Sequence, residues 1–206
     1  MPGTAKRHGH GRVPMGNLIP MSFQGTEPMS LKTNAELSSL AALPDQSRVW
    51  VFTTAAPLTD DLAALVEAGL KAFVADWMSH GQRVRGGFTL CDRRFILIAA
   101  DETANDVSGC SIDGMFRAVQ AAAGRAGVPL ADTADIAYRG PNGVELVDRP
   151  TFRRLVREDV IRPDTPVFDG TVRTLGQVRA GGWERSFAES WHAEHFAPAA
   201  VGSNVR

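Results

Sequence analysis

The most regular stretch of the chain follows Thr59, with apolar residues at positions 62, 65, 66, 70, 73, 74 and 77. That spacing of three and four buries one stripe of a helix. Thr59 suits the N-cap and Asp60 and Asp61 the first turn, where carboxylates meet the positive end of the helix dipole. Ser79-His80-Gly81 reads as the stop, with a basic residue in the last turn and a glycine after it. A second helix has apolar positions 112, 115, 116, 119, 122, 123 and 126, and Gly127 and Pro129 halt it. Between and around these helices the period falls to two. Val49-Trp50-Val51-Phe52-Thr53 is β-branched and aromatic, as a strand prefers. Residues 82–90 put Val84, Phe88 and Leu90 on one face and Arg83, Arg85 and Thr89 on the other, a half-buried strand. Phe95 to Ala100 is apolar throughout, which predicts a central strand covered on both faces. Ile136–Arg139 and Val144–Val147 flank Gly140-Pro141-Asn142-Gly143 and form a hairpin.

The resulting order, β-α-β-β-α-β with one further strand, predicts an α+β fold of the ferredoxin-like split-βαβ kind: an antiparallel sheet with both helices on one face. Three regions follow. Residues 1–47, rich in Gly, Pro, Ser, Thr and Asn, read as a flexible leader in which Met15, Met21 and Met29 are alternative starts and only Ala35–Leu43 has helical character. Residues 48–150 form the core domain, and 151–206 an irregular C-terminal extension packed on it. In that extension Phe152, Leu155 and Val156 mark a short helix, Asp164-Thr165-Pro166 a turn, Val167-Phe168 a short strand and Thr174 a helix cap. Trp183, Phe187, Trp191 and Phe196 recur at four- or five-residue steps. They are either anchors pinning the extension down or an aromatic platform for a ligand.

Composition narrows the function classes. Lys and Arg number 22 against 23 Asp and Glu, and this balance lacks the basic excess that a sequence-independent nucleic-acid binder needs. The two cysteines, Cys91 and Cys110, make no disulfide framework and no Cys-x-x-Cys zinc site, so free thiols in a reducing cytoplasm are expected. The longest apolar run is far short of a membrane span, and the first thirty or so residues lack the apolar region of a signal peptide. No motif calls for a cofactor. The P-loop pattern G-x-x-x-x-G-K-[ST] is absent, as are G-x-G-x-x-G after a strand, H-E-x-x-H and G-x-S-x-G.

Chemistry concentrates in Ser108-Gly109-Cys110-Ser111-Ile112-Asp113, where a polar loop meets the second helix. A thiol there lies at the positive end of the helix dipole, which favours a thiolate nucleophile, and the first backbone N–H groups can hold an oxyanion or phosphate. The alternative is structural: Ser111 as N-cap, Gly109 as the turn, Asp113 complementing the dipole and Cys110 as a small buried hydrophobe. The spacing of a Cys-x5-Arg phosphatase loop fails, because Phe116 stands where the arginine would be. His80 could act as a base with Asp76 one turn before it, giving a conceivable Cys110–His80–Asp76 relay. Trp77 neighbours Asp76, and Trp191 neighbours His192 and His195, whose i, i+3 spacing puts them on one face if helical, where they could hold a metal with a carboxylate such as Asp76 or Glu194. His8 and His10, flanking a glycine, are a weaker pair of possible ligands.

Trp77 with His80-Gly81, the Ser108–Asp113 string, Asp164-Thr165-Pro166-Val167-Phe168, and Ser190-Trp191-His192 with Phe196 resemble a family of small uncharacterised bacterial proteins often catalogued as "ABC transporter ATPase". The resemblance spans residues 49–196. It implies relatives and no activity, brings no catalytic residues with it, and its label asks for a P-loop that this sequence does not contain. Two functions therefore stand side by side. One is a module binding a small molecule or a protein, through the open sheet face or the aromatic extension, with an exposed edge strand that would support a homodimer. The other is a thiol-dependent enzyme built on Cys110, with Ser108, Gly109, Ser111 and Asp113 around its anionic or acyl substrate.

Overall fold

The computed structural model describes residues 37–103 and 105–197. The expected leader up to residue 36, with His8 and His10, and residues 198–206 lie outside them. In chain order the elements are β1 (Arg48–Thr53), α1 (Asp60–Ala75), β2 (Met78–Ser79), β3 (Gln82–Arg83), β4 (Arg85–Cys91), β5 (Phe95–Asp101) and α2 (Gly109–Arg125). There follow β6 (Ile136–Gly140), β7 (Gly143–Val147), α3 (Arg149–Arg157), β8 (Pro166–Phe168), α4 (Leu175–Arg179), β9 (Glu184–Ser186) and α5 (Trp191–Phe196). The α+β class expected from the pattern holds.

β1, β5 and β4 form an antiparallel sheet in that order, with β5 in the middle. Its Ile96, Ile98 and Ala100 face α1 and α2, meeting Val66, Leu70, Met115 and Val119. Its Phe95, Leu97 and Ala99 face the other way, toward Leu40, Leu43, Phe168, Leu175 and Trp183. Every residue of β5 is buried, which is why this strand reads as a continuous apolar run and not as an alternation. Removing one of its large side chains, as in Leu97→Ala, costs about 2–5 kcal/mol.

Part of the stretch read as leader is packed. Leu37–Leu40 is a 3-10 helix with Leu37 and Leu40 buried, and Ser39 Oγ donates to the Phe88 carbonyl of β4 at 2.9 Å. Gly87 makes this approach possible, because a Cβ there would lie 2.8 Å from Leu40 Cδ2. The face of β4 expected to carry Thr89 into solvent is covered, and Thr89 is buried.

The strand at 136–140 does not join the first sheet. It pairs with β7 and β8 in a second, four-stranded antiparallel sheet of order β7-β6-β8-β9. Beside β1, where a fourth strand would run, the segment before β6 makes a single bridge, Thr54 to Leu130, and then departs, and a separate bridge, Arg48 to Thr174, lies at the other end of the strand. The side chains give the reason: Ile136 and Tyr138 pack with Phe152, Val167, Phe187 and Phe196, whereas Ala137 joins the cluster under β5. The second sheet draws strands from both sides of residue 150, so the C-terminal residues up to 197 are integral to it. Arg139 ties the two sheets, donating to both Asp92 oxygens (3.0 and 2.9 Å) and to Glu184 (2.6 Å).

The first helix ends earlier than its pattern suggests. Asp76 is the C-cap, and Ser79-His80-Gly81-Gln82 is the turn of the β2–β3 hairpin, with φ of 50° at His80 and 76° at Gly81. Two successive residues at positive φ make a hairpin turn, and the glycine that resembles a helix stop serves this turn instead.

Candidate functional site

The two polar regions singled out in the sequence lie at different places in the fold, and the one around Trp191 borders a cleft. At the start of α2 the N-cap is Ser108, not Ser111: its Oγ accepts the Ser111 N–H at 3.2 Å. Ser111 is thereby freed for the hairpin. Trp77 Nε1 donates to Ser111 Oγ at 2.7 Å, and that hydroxyl donates in turn to the Met78 carbonyl at 2.8 Å. Ser79 Oγ accepts the Ser108 N–H (2.9 Å) and donates to the Asp106 carbonyl (2.8 Å), while Asn105 Nδ2 donates to the Ser79 carbonyl (3.0 Å). These bonds staple the β2–β3 hairpin to the head of α2. They pair the side-chain donors and acceptors of Trp77, Ser79 and Ser111 inside the protein.

Ile112 packs against the core, and the other residues of the string face water. Gly109, Cys110 and Asp113 are exposed; Cys110, at the second position of α2, is not the buried hydrophobe of the structural alternative. His80 is exposed at the hairpin tip, and exposed Asp76 makes a 3.9 Å ion pair with exposed Arg83. An ion pair so solvated contributes little. No hydrogen bond links Cys110, His80 and Asp76 among the described residues, so the relay conceivable from sequence is not assembled.

The cavity lies at the outer edge of β1. It is a cleft of about 530 Å³ whose floor is Val51, Phe52 and Thr53. One wall comes from Phe116 and Gln120 of α2, and the second from Leu130 to Ala137, the loop that departs from β1 and the start of β6. The third wall holds Phe168, Gly170, Thr171 and Trp183, with Trp191, His192 and Arg149 beside it. The cleft exists because the chain leaves β1 after one bridge, so the two sheets splay apart there. Phe116, 41 % exposed, packs its edge on Phe52 across the rim, with ring centroids 5.1 Å apart.

Three features of the lining are chemically specific. Trp183 is 1 % exposed, and its Nε1–H has no acceptor among the described residues. A buried donor left without a partner costs about 1–3 kcal/mol, so an acceptor is wanted there. Second, Val49 N–H donates to the Arg173 carbonyl (2.9 Å) and Thr53 C=O accepts from Ala131 N–H (2.8 Å), both on the outer edge of β1. With a strand period of two, the N–H and C=O of Val51 face the same way, into the gap between those bonds, and no described residue pairs them. Third, His192 is 1 % exposed and its pKa is lowered to about 4, chiefly by burial, against the raising charge of Asp169 and with Arg149 and His195 lowering it further. It is neutral at pH 7. Ser190 Oγ donates its one proton to the Phe187 carbonyl at 2.7 Å, so the 3.3 Å contact to His192 is a bond from Nδ1–H, leaving Nε2 as a bare lone pair.

The fate of the expected metal pair follows from this burial. His192 is stacked on Trp191 with centroids 3.9 Å apart, whereas His195 is exposed. No group of three or more His, Cys, Asp or Glu side chains among the described residues is placed to hold a metal. Trp191 itself borders the cleft, anchored by its Nε1–H donating to Asp169 Oδ1 at 3.1 Å. Of the sequence-derived site residues, then, Trp191 and His192 reach the cleft. Cys110, His80, Asp76, Ser108, Gly109, Ser111, Asp113, Trp77 and His195 are not among its lining residues.

Compared with known proteins, the chain matches no family model, no curated protein and no solved structure. None of the described helices is long and apolar enough to cross a membrane.

Proposed function

We propose that this protein is a binding module for a small molecule, acting in the cytoplasm, and that the cleft beside β1 is its site. The observation that carries this reading is the coincidence of an aromatic-lined cavity of about 530 Å³ with a fully buried tryptophan donor that has no partner. Ligand sites are concave and mostly apolar, with a few polar groups that fix orientation, and the cleft has that composition. Binding is favoured over catalysis because no hydrogen-bonded nucleophile–base pair is found among the lining residues. The test is to fill the cleft. Gly170 lines it, and a Cβ there would meet nothing within 4 Å. Gly170→Phe should leave the melting temperature within a degree or two and abolish binding of an apolar dye to the native protein. Dye binding that survives the substitution would sink the proposal.

The thiol reading keeps one observation in its favour, the exposure of Cys110 at the head of α2. It requires a base from elsewhere, and a substrate-dependent turnover lost in Cys110→Ser would be its evidence.

A further inference from the structure

Val51 is the one residue of β1 whose peptide edge is open between two closed positions. The bond from Val49 N–H to Arg173 closes one end, and the bond from Ala131 N–H to Thr53 closes the other. Four residues of extended chain separate them, about 13 Å. An added peptide strand would have to run past both positions and displace their bonds, so strand addition does not fit this edge. A molecule that enters from the cleft and ends at Val51 does fit.

In an extended residue the N–H and C=O lie side by side and point the same way. The group that pairs with both at once carries an acceptor and a donor on adjacent atoms, as the edge of a lactam or an amino-substituted nitrogen heterocycle does. The walls favour a flat body. Phe52 and Phe116 stand on the α2 side, and Phe95, Phe168 and Trp183 on the other, with the last three packed together at centroid distances of 4.6 to 5.3 Å. Aromatic rings take a planar partner in offset or edge-on contact.

We infer that the cleft takes a flat heteroaromatic molecule whose edge presents a lactam-type acceptor and donor together to the Val51 peptide. This rests on the reading of the cleft as a ligand site, and a set of small rings separates the two. Oxindole has the lactam edge, N-methyloxindole lacks its N–H, and indane keeps the shape without either group. In ligand-observed NMR titrations of the full chain, oxindole should bind at least tenfold more tightly than N-methyloxindole and indane. Equal binding of all three would overturn the pairing at Val51 and leave the cleft as a plain apolar site. Binding of none would overturn both.

The protein side of the pair can be tested as well. The Val51 N–H makes no ladder bond, so Val51→Pro removes the donor without breaking the sheet, a position where an edge strand accepts proline. With Val51→Ala as the control for the lost side chain, Val51→Pro should bring oxindole to the level of N-methyloxindole. Undiminished selectivity in a folded Val51→Pro protein would overturn the inference. Should that variant fail to fold, the comparison of the two oxindoles on the unaltered chain still decides.

Discussion

Trp77 and Trp183 are buried to the same degree, 2 % and 1 % exposed, yet their indole N–H groups meet opposite fates. Trp77 donates to Ser111 at 2.7 Å, within a cluster whose other polar groups are also paired. Trp183 donates to nothing among the described residues and lines an open cleft. Buried polar groups in folded proteins are paired as a rule. Ser47 Oγ, Arg94 Nε, Glu102 Oε1 and Arg185 Nε also lack a hydrogen bond among the described residues, and what sets Trp183 apart is that it alone of these lines the cleft. The conspicuous Ser-Gly-Cys-Ser-Ile-Asp string thus takes part in an internally paired cluster, whereas the inconspicuous gap beside β1 holds the unpaired indole, in keeping with the ligand site proposed there.

The largest effect on the cleft side is expected from acid. His192 keeps a pKa near 4 in the folded protein against an ordinary value of about 6.5, so the unfolded chain binds the extra proton between those values. Its contribution is fully present above pH 6.5 and is lost as pH falls toward 4, up to about 3 kcal/mol for a shift of this size. Urea denaturation of the native chain and of His192→Gln across that window should show a markedly shallower loss in the variant. Equal slopes would mean that the imidazole is hydrated and that this wall of the cleft is looser than it looks.

On the other side of the comparison, Ser111→Ala removes the acceptor of Trp77 Nε1 and the donor to Met78 together. A buried indole N–H then stands unpaired, and a loss of about 2 kcal/mol is expected in the same denaturation assay. The matching change in the cleft, Trp183→Phe, deletes a donor that is already unpaired. It should cost about 1 kcal/mol or less, mostly from lost ring volume, while weakening any ligand that supplies an acceptor. If Trp183→Phe proved as costly as Ser111→Ala, the Nε1–H would have a partner in solution, and the contrast between the two tryptophans would fail.

The fold was legible where local pattern and tertiary role coincide. The apolar run at 95–100, the Thr59 cap and the Gly140–Gly143 turn all read correctly because each depends on neighbours in the chain. Errors arose where one local signal serves two structures. Ser108 and Ser111 both suit an N-cap, and the choice turns on Trp77, thirty-four residues upstream. Gly81 at positive φ suits a helix stop or a hairpin tip, and the burial of Trp77 and Ser79 selects the hairpin. The strand at 136–140 has the right pattern for the first sheet, but partners as distant as Phe196 take it into the second. The cleft was invisible for a related reason: its lining comes from separate stretches near 51, 116, 131, 149, 168, 183 and 191, and no periodicity announces that they converge. The aromatic spacing in the C-terminal extension did flag Trp191. Nothing local distinguished the unpaired Trp183 from the buried Phe187 that follows it.

The smallest expected effect concerns the residue that first drew attention. Cys110 is exposed and outside the cleft lining, whereas Cys91, the last residue of β4, is wholly buried. Iodoacetamide should therefore modify Cys110 in the native protein and reach Cys91 only on unfolding, with mass spectrometry separating the two sites. Because the cap of α2 is the Ser108 hydroxyl, a carbamidomethyl group on the neighbouring exposed thiol disturbs no internal bond. The melting temperature and the affinity for a cleft ligand should both stay as they were. A modified protein that no longer binds the ligand would join the two regions energetically, and the string at the head of α2 would then have a part in function that its hydrogen bonds alone do not require.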